Sequence, residues 1–224
     1  ALAEAQALRD EVEELRGLVR GTVAVGALRP AGEVNVPALL AEFKRRHPGI
    51  EIQFREGTVG DMIEHLSADE LDAAFALEAG PWPEGIECAQ LSAEELVVAV
   101  APGHPLAEER PLRVRELDGA ELIAFREGSA VRRAMDEALE RAGASARVLL
   151  EGSNETLVRA LVVEGLGLAF VPRTVAELPG APLVARSLDP PIHLPVCLIW
   201  RAGRAQTPAA RAFLDFVTER AAAS

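Results

Sequence analysis

The chain is short of several things at once, and each shortage removes a class of function. Its only cysteines, Cys88 and Cys197, lie far apart in sequence. That excludes a disulfide framework and a metal site built on clustered thiols, and leaves two reduced, partly buried thiols as the expectation. No apolar run approaches membrane-spanning length. The first twenty residues carry Glu4, Arg9, Asp10, Glu11, Glu13, Glu14 and Arg16, a charge density that excludes a signal peptide, so a cytoplasmic location and no membrane partner are expected. Basic residues are outnumbered: 23 Lys and Arg against 35 Asp and Glu give a formal net charge of −12. A surface of that sign repels phosphate, so this polypeptide is not expected to grip nucleic acid by itself.

Catalytic signatures are missing too. No G-x-S-x-G occurs, and the glycine-rich piece EGLGLA ends a helical pattern rather than opening one, so it is not a dinucleotide fingerprint. The four histidines do not cluster. His47 and His104 each precede proline at turns and His193 lies in a Pro-rich connection, which suits surface or capping roles. Asp61 with Glu64, and Asp69 and Glu70 with Asp72, read as solvated helix-end charges. The sequence therefore predicts no catalytic residue, no metal site and no cofactor.

What is present is enough apolar residue, 49% of 224 positions, to build one large domain or two small lobes. Ala5, Leu8, Val12, Leu15 and Val19 recur at spacings of three and four, a heptad seam too short to stand alone, so a partner helix or the domain body must cover it. Thr22–Gly26 predicts a strand, and a helix follows from about Glu33 to His47 with Val36, Leu39, Leu40 and Phe43 on its apolar face and Pro37 in its first turn. Ile50–Phe54 predicts a second strand, Asp61–Leu71 a second helix and Asp72–Leu77 a third strand, before the Gly80–Gly85 run breaks the pattern.

Leu96–Ala101 is the most apolar strand, followed by two prolines that forbid helix. Beyond it Leu112–Leu117 reads as a short segment, Glu121–Phe125 as a strand, Ser129–Ala142 as a helix and Arg147–Leu150 as a strand. The stretch Val148–Pro172 then repeats strand, helix, strand. Ser153 or Asn154 can cap its helix, Leu157, Leu161 and Val162 form the expected buried face, Gly165 and Gly167 end it, and Leu168–Val171 is the next strand. After a Pro-rich connection from Leu178 to Pro195, Val196–Trp200 is a last strand and Pro208–Ala221 a last helix with Phe213, Leu214, Phe216 and Val217 inside. Regular strand–helix alternation in both halves gives an α/β class.

Several pieces also match a known family in order and spacing: Gly21–Gly26 (GTVAVG), Leu39–Ile52 (LLAEFKRRHPGIEI), Leu71–Ala74 (LDAA), Leu96–Ala107 (LVVAVAPGHPLA), Gly165–Pro172 (GLGLAFVP) and Ala212–Val217 (AFLDFV). In this the chain closely resembles the effector-binding domain of LysR-type transcriptional regulators over nearly all of its length. The resemblance implies two Rossmann-like lobes of the type II periplasmic-binding-protein kind, with a ligand cleft between them, preceded by a linker helix. It implies residues 1–20 as the end of the dimerising linker, residues 21–91 plus 197–224 as lobe I, and residues 92–196 as lobe II. The winged helix-turn-helix of the family is not in this sequence. Expected partners are a small-molecule effector and further copies of the chain, as a homo-oligomer that is a dimer or, in the full-length regulator, a tetramer. DNA is expected only through the reading domain. Two alternatives remain open: a solute-binding protein, which needs an export signal, and a cytoplasmic enzyme on the same fold, which needs a catalytic group in the cleft.

The effector site follows from turns at strand ends, where open α/β sheets place small ligands. Arg29, after the first strand, offers a bidentate guanidinium to a carboxylate, with Pro30 and Ala31 beside it. Where the family commonly has a Ser or Thr hydroxyl, this chain has Ala31, Gly32 and Glu33. Glu33 at a helix start repels an anion, so the effector is expected to be less acidic than usual or to rely on Arg29 and Arg126. In the second half Arg126 and Ser129 occupy one strand-to-helix turn and Ser153 and Asn154 another. Thr58 and Glu78 stand at the ends of the second and third strands.

Overall fold

Gly21–Ala27 (β1) alternates its side chains across a sheet, and the computed structural model buries Val23, Val25 and Ala27 on one face and leaves Ala24 half-buried on the other. The structure describes residues 19–28, 34–78, 80–108, 110–152, 154–203 and 205–222. The chain divides into two compact units, one made of Ala1–Ala76, Trp82–Ser92 and Val196–Ser224, the other of Leu77–Pro81 and Ala93–Pro195.

In the first unit β1 lies between two parallel neighbours, Ile50–Glu56 (β2) and Ala73–Leu77 (β3), with Gly21 opposite Ile50 and Val25 opposite Ala73. Val23, Val25 and Ala27 face the helix Val36–Arg46 (α1) and the long terminal helix Pro208–Ala222 (α6), around Phe43, Phe75 and Phe213. Phe43 and Phe213 meet edge-to-face, centroids 5.1 Å apart, a favoured aromatic geometry. Ala24 and Ala74 face the other way, toward Met62 and Leu66 of Val59–Ser67 (α2). Asn35 starts α1 by accepting the Ala38 N–H, Pro37 sits in the first turn where its missing N–H costs nothing, and His47 closes the helix with its N–H on the Phe43 carbonyl.

The second unit holds the parallel pair Glu121–Phe125 (β5) and Arg147–Gly152 (β6). It also holds the far half of Ile86–Val100 (β4), which pairs antiparallel with Ala169–Pro172 (β7) and with Val184–Arg186 (β8). A 3-10 turn at Val114–Leu117 and the helices Ala130–Ala142 (α3), Glu155–Val163 (α4) and Arg173–Ala176 (α5) complete it. Ala130, Val131, Ala134, Met135, Ala138 and Leu139 bury one face of α3, and Gly143 ends it at φ +61°, a left-handed cap that glycine adopts without strain.

Several expectations need correction. The second helix stops at Ser67, not Leu71, because the next residues turn sharply and Asp69 takes φ +61°. The strand expected at Leu96–Ala101 is the end of β4, which begins ten residues earlier at Ile86. The connection from Leu178 to Pro195 contains β8 and the start of Ile192–Arg201 (β9), so His193 lies on a strand. On α4 the buried residues are Val158 and Val162; Leu157 is 49% exposed and Leu161 half-buried. Asp61, Asp69, Glu70 and Asp72 are not merely solvated: Asp61 closes a capping box, Asp69 pairs with Arg201, Glu70 with Arg55, and Asp72 accepts the Ala24 N–H at 2.9 Å. His47 is buried beside Phe43, Cys197 is fully buried and Cys88 is exposed. Of the seam, Val19 packs partly buried on the first unit's core; Ala5, Leu8, Val12 and Leu15 lie outside the described residues.

Candidate functional site

In the second unit β5 and β6 end level with each other, Phe125 opposite Gly152, and a helix follows each within a few residues. The Arg126 N–H donates to the Gly152 carbonyl at 3.2 Å and ties the two turns together. Gly128 makes the first turn at φ +85°, a conformation L side chains resist. Ser129 Oγ then accepts the Arg132 N–H at 3.2 Å and caps α3, while Asn154 Oδ1 accepts the Leu157 N–H at 2.9 Å and caps α4. Gly152 fits where a Cβ would come within 2.8 Å of Val158, so β6 ends close against α4. Each cap takes the third N–H of its helix, and the first-turn N–H groups before it have no acceptor within the helix. Two positive helix ends therefore start side by side, a natural seat for a polar or anionic group.

A residue not singled out by the sequence underpins this arrangement. The Arg132 side chain is only 12% exposed. Its Nη1 donates to Glu151 Oε1 at 2.7 Å and to the Phe125 carbonyl, and its Nε donates to both oxygens of Asp136 at 3.1 and 3.0 Å. One guanidinium thus joins the end of β5, the end of β6 and the first turns of α3. Burial works against its charge, and the hydrogen bonds it donates to Glu151 and Asp136 outweigh it, so Arg132 is held charged.

Arg126 and Asn154 are exposed and Ser129 half-buried on these adjacent turns. Ser153, between β6 and the α4 cap, lies outside the described residues, as do Arg29, Pro30 and Ala31. Thr58 belongs to the first unit, where its Oγ1 accepts the Asp61 N–H at 3.2 Å and donates to Asp61 Oδ2 at 2.8 Å, so its hydroxyl is engaged in capping α2. Glu78 follows β3, half-buried, and its N–H donates to the Pro195 carbonyl at 2.9 Å. Among the described residues no group of three or more His, Cys, Asp or Glu side chains is arranged to hold a metal ion, and no helix is long and apolar enough to cross a membrane.

Residues 16–222 match the family LysR substrate binding domain. The chain belongs to that family. The HTH-type transcriptional regulator CbbR of Xanthobacter flavus is 33% identical over 235 residues, which cover 100% of this chain and 67% of that protein. Among solved structures, the C-terminal domain of a probable LysR family transcriptional regulator from Rhodococcus sp. RHA1 is similar at 26% identity and a TM-score of 0.79, covering 89% of this chain and 100% of that one. The effector binding domain of QuiR in complex with shikimate gives a TM-score of 0.82 at 24% identity over 92% of this chain and 99% of that one, a likeness of fold. This LysR chain thus has the α/β, two-lobe, periplasmic-binding-protein-like fold of effector-binding domains. It is a ligand-sensing regulatory domain, and its relatives are transcriptional regulators.

Proposed function

We propose that this LysR domain senses a small polar or singly anionic metabolite, held between its two lobes, and transmits lobe closure to a DNA-reading module of the same regulator. The observation that carries this reading is the pair of capped helix starts at the ends of β5 and β6, braced by Arg132. Charge on the adjoining residues limits the ligand: Arg126 and Arg132 give +2 and Glu127, Glu151 and Glu155 give −3, a formal sum of −1. Helix dipoles attract one negative group there, and the side chains oppose a second. Arg126, Ser129, Ser153 and Asn154 meet the ligand from this side. Arg29, Pro30, Ala31 and Thr58 meet it from the first unit, with Glu78 as a further contact. Only a ligand that touches both sides binds the closed form more tightly, and only that difference shifts the population.

The domain works as a cytoplasmic homo-oligomer, catalyses nothing, and meets DNA only through the reading module. A thermal-shift series with neutral polyols, monocarboxylates and dicarboxylates tests this. At a hundred times its Kd a true ligand adds about 2.7 kcal/mol, a rise of roughly 5–10 °C for a domain of this size, and chromatography recovers it unchanged. Turnover of the ligand, or a consistent preference for dianions, contradicts the reading.

A further inference from the structure

Two opposite charges are buried with unfilled hydrogen-bonding capacity on one face of the β8–β4–β7 layer. Register sets Arg186 of β8 and Phe170 of β7 on either side of Val98 of β4, so the three side chains project to one face. Alternation along β4 brings Leu96 and Glu94 to that same face. Arg186 is 4% exposed and Glu94 1%. Glu94 Oε1 accepts from the Thr174 N–H at 2.9 Å and from its hydroxyl at 3.1 Å. Glu94 Oε2 and Arg186 Nη1 are sealed from solvent without a hydrogen-bond partner among the described residues. The neighbouring Arg173 and Glu95 bind each other at 2.7 Å, and Arg173 also reaches Ser187, so an arginine and a glutamate in this layer do pair when they touch.

A guanidinium keeps its charge at any pH the fold survives, and a buried charge left alone is strongly destabilising. From Glu94 to Val98 the strand covers roughly 13 Å, within the combined reach of two long side chains and one bridging molecule between them. Whatever bridges them must accept from Nη1 and donate to Oε2. A halide or carboxylate satisfies the arginine and is repelled by the glutamate; a metal ion or ammonium does the reverse. Water satisfies both. We propose that a buried water site joins Arg186 Nη1 to Glu94 Oε2, a solvent-mediated ion pair that links β8 across β4 to Thr174 at the start of α5.

Crystals of the unaltered chain grown in sodium bromide and measured at the bromine edge test this directly. The expected result is an ordered peak without anomalous signal, within hydrogen-bond distance of both atoms. Bromide at Arg186, direct guanidinium–carboxylate contact, or no peak at all overturns the proposal. In solution, Glu94→Gln and Arg186→Met should each lower the melting temperature by several degrees. The double variant should melt no lower than the weaker single, because each single change strands the other group. Additive shifts overturn the coupling.

Discussion

Replacing Arg132 by leucine removes the brace beneath both helix starts while keeping the stem buried. Three kinds of contact are lost: the bond to Glu151 at 2.7 Å, the pair of bonds to Asp136, and the weaker bond to the Phe125 carbonyl. In a dry interior each charged bond is worth about 1.5–3 kcal/mol. Here the Glu151 and Asp136 side chains are 46% and 52% exposed, so once freed they regain water and each pair counts for about 1 kcal/mol or less. With the orphaned carbonyl added and leucine's apolar burial subtracted, the expected loss is about 2 kcal/mol. For a chain of this length that lowers the melting temperature by roughly 4–8 °C. Urea unfolding followed by far-ultraviolet circular dichroism is the right assay, because Trp82 and Trp200 both belong to the first unit and their fluorescence follows that unit. A loss under about 0.5 kcal/mol, the size of an ordinary surface change, would refute the view that Arg132 holds the two turns.

Glu116 is held down to about 2 from an ordinary 4.5, first by its hydrogen bonds from Arg110 and then by the Arg113 N–H, and Glu95 is lowered by Arg173. A depressed carboxylate stabilises fully above its unfolded value and loses that contribution as pH falls toward its folded value. Glu116→Gln should therefore flatten the fall in urea midpoint between about pH 4.5 and 2, and parallel curves for the two proteins would argue against it. Leu168 bridges Leu122 beside β5, its N–H on the Glu121 carbonyl at 3.1 Å. Gly167→Ala places a Cβ 2.8 Å from that carbonyl oxygen, where backbone must yield, and should cost about 1–3 kcal/mol in thermal unfolding; an unchanged melt would mean the bridge is slack. Arg29→Ala should weaken a carboxylate ligand by about 1.5–3 kcal/mol, roughly tenfold or more by calorimetry. Ligand-free stability should barely move, and equal binding would put the site elsewhere.

Local signals in the sequence carried much of this structure. β5, α3 and the Ser129 cap are readable because a short apolar run, a capping serine and a helical period follow one another between Glu121 and Ala142. The near half of β4 was not readable: Glu87, Cys88 and Gln90 interrupt its apolar pattern just after a Gly- and Pro-rich turn, and what makes it a strand is pairing with residues over a hundred positions away, as the Trp200 Nε1 bond to Glu87 illustrates. On α4 Val162 is buried as expected; the misplaced residue is Leu157, because Val158 beside it is the one that faces inward. Asn154 is the cap, so Glu155 begins the helix and the inward pair is Val158 with Val162. Arg132 carried no distinguishing signal, since an arginine three residues into a helix is usually solvated. Its burial depends on β6 arriving alongside, which periodicity does not report. The spacing of Arg132 and Asp136, four apart behind a Ser cap, was the one available hint.

Amide hydrogen exchange reads ligand seating at the starts of α3 and α4 directly. A metabolite that stabilises the chain in the thermal series should slow exchange in peptides spanning residues 125–132 and 152–158, where the first-turn N–H groups would meet it. Protection confined to other segments, with these two unchanged at saturating ligand, would contradict the central claim.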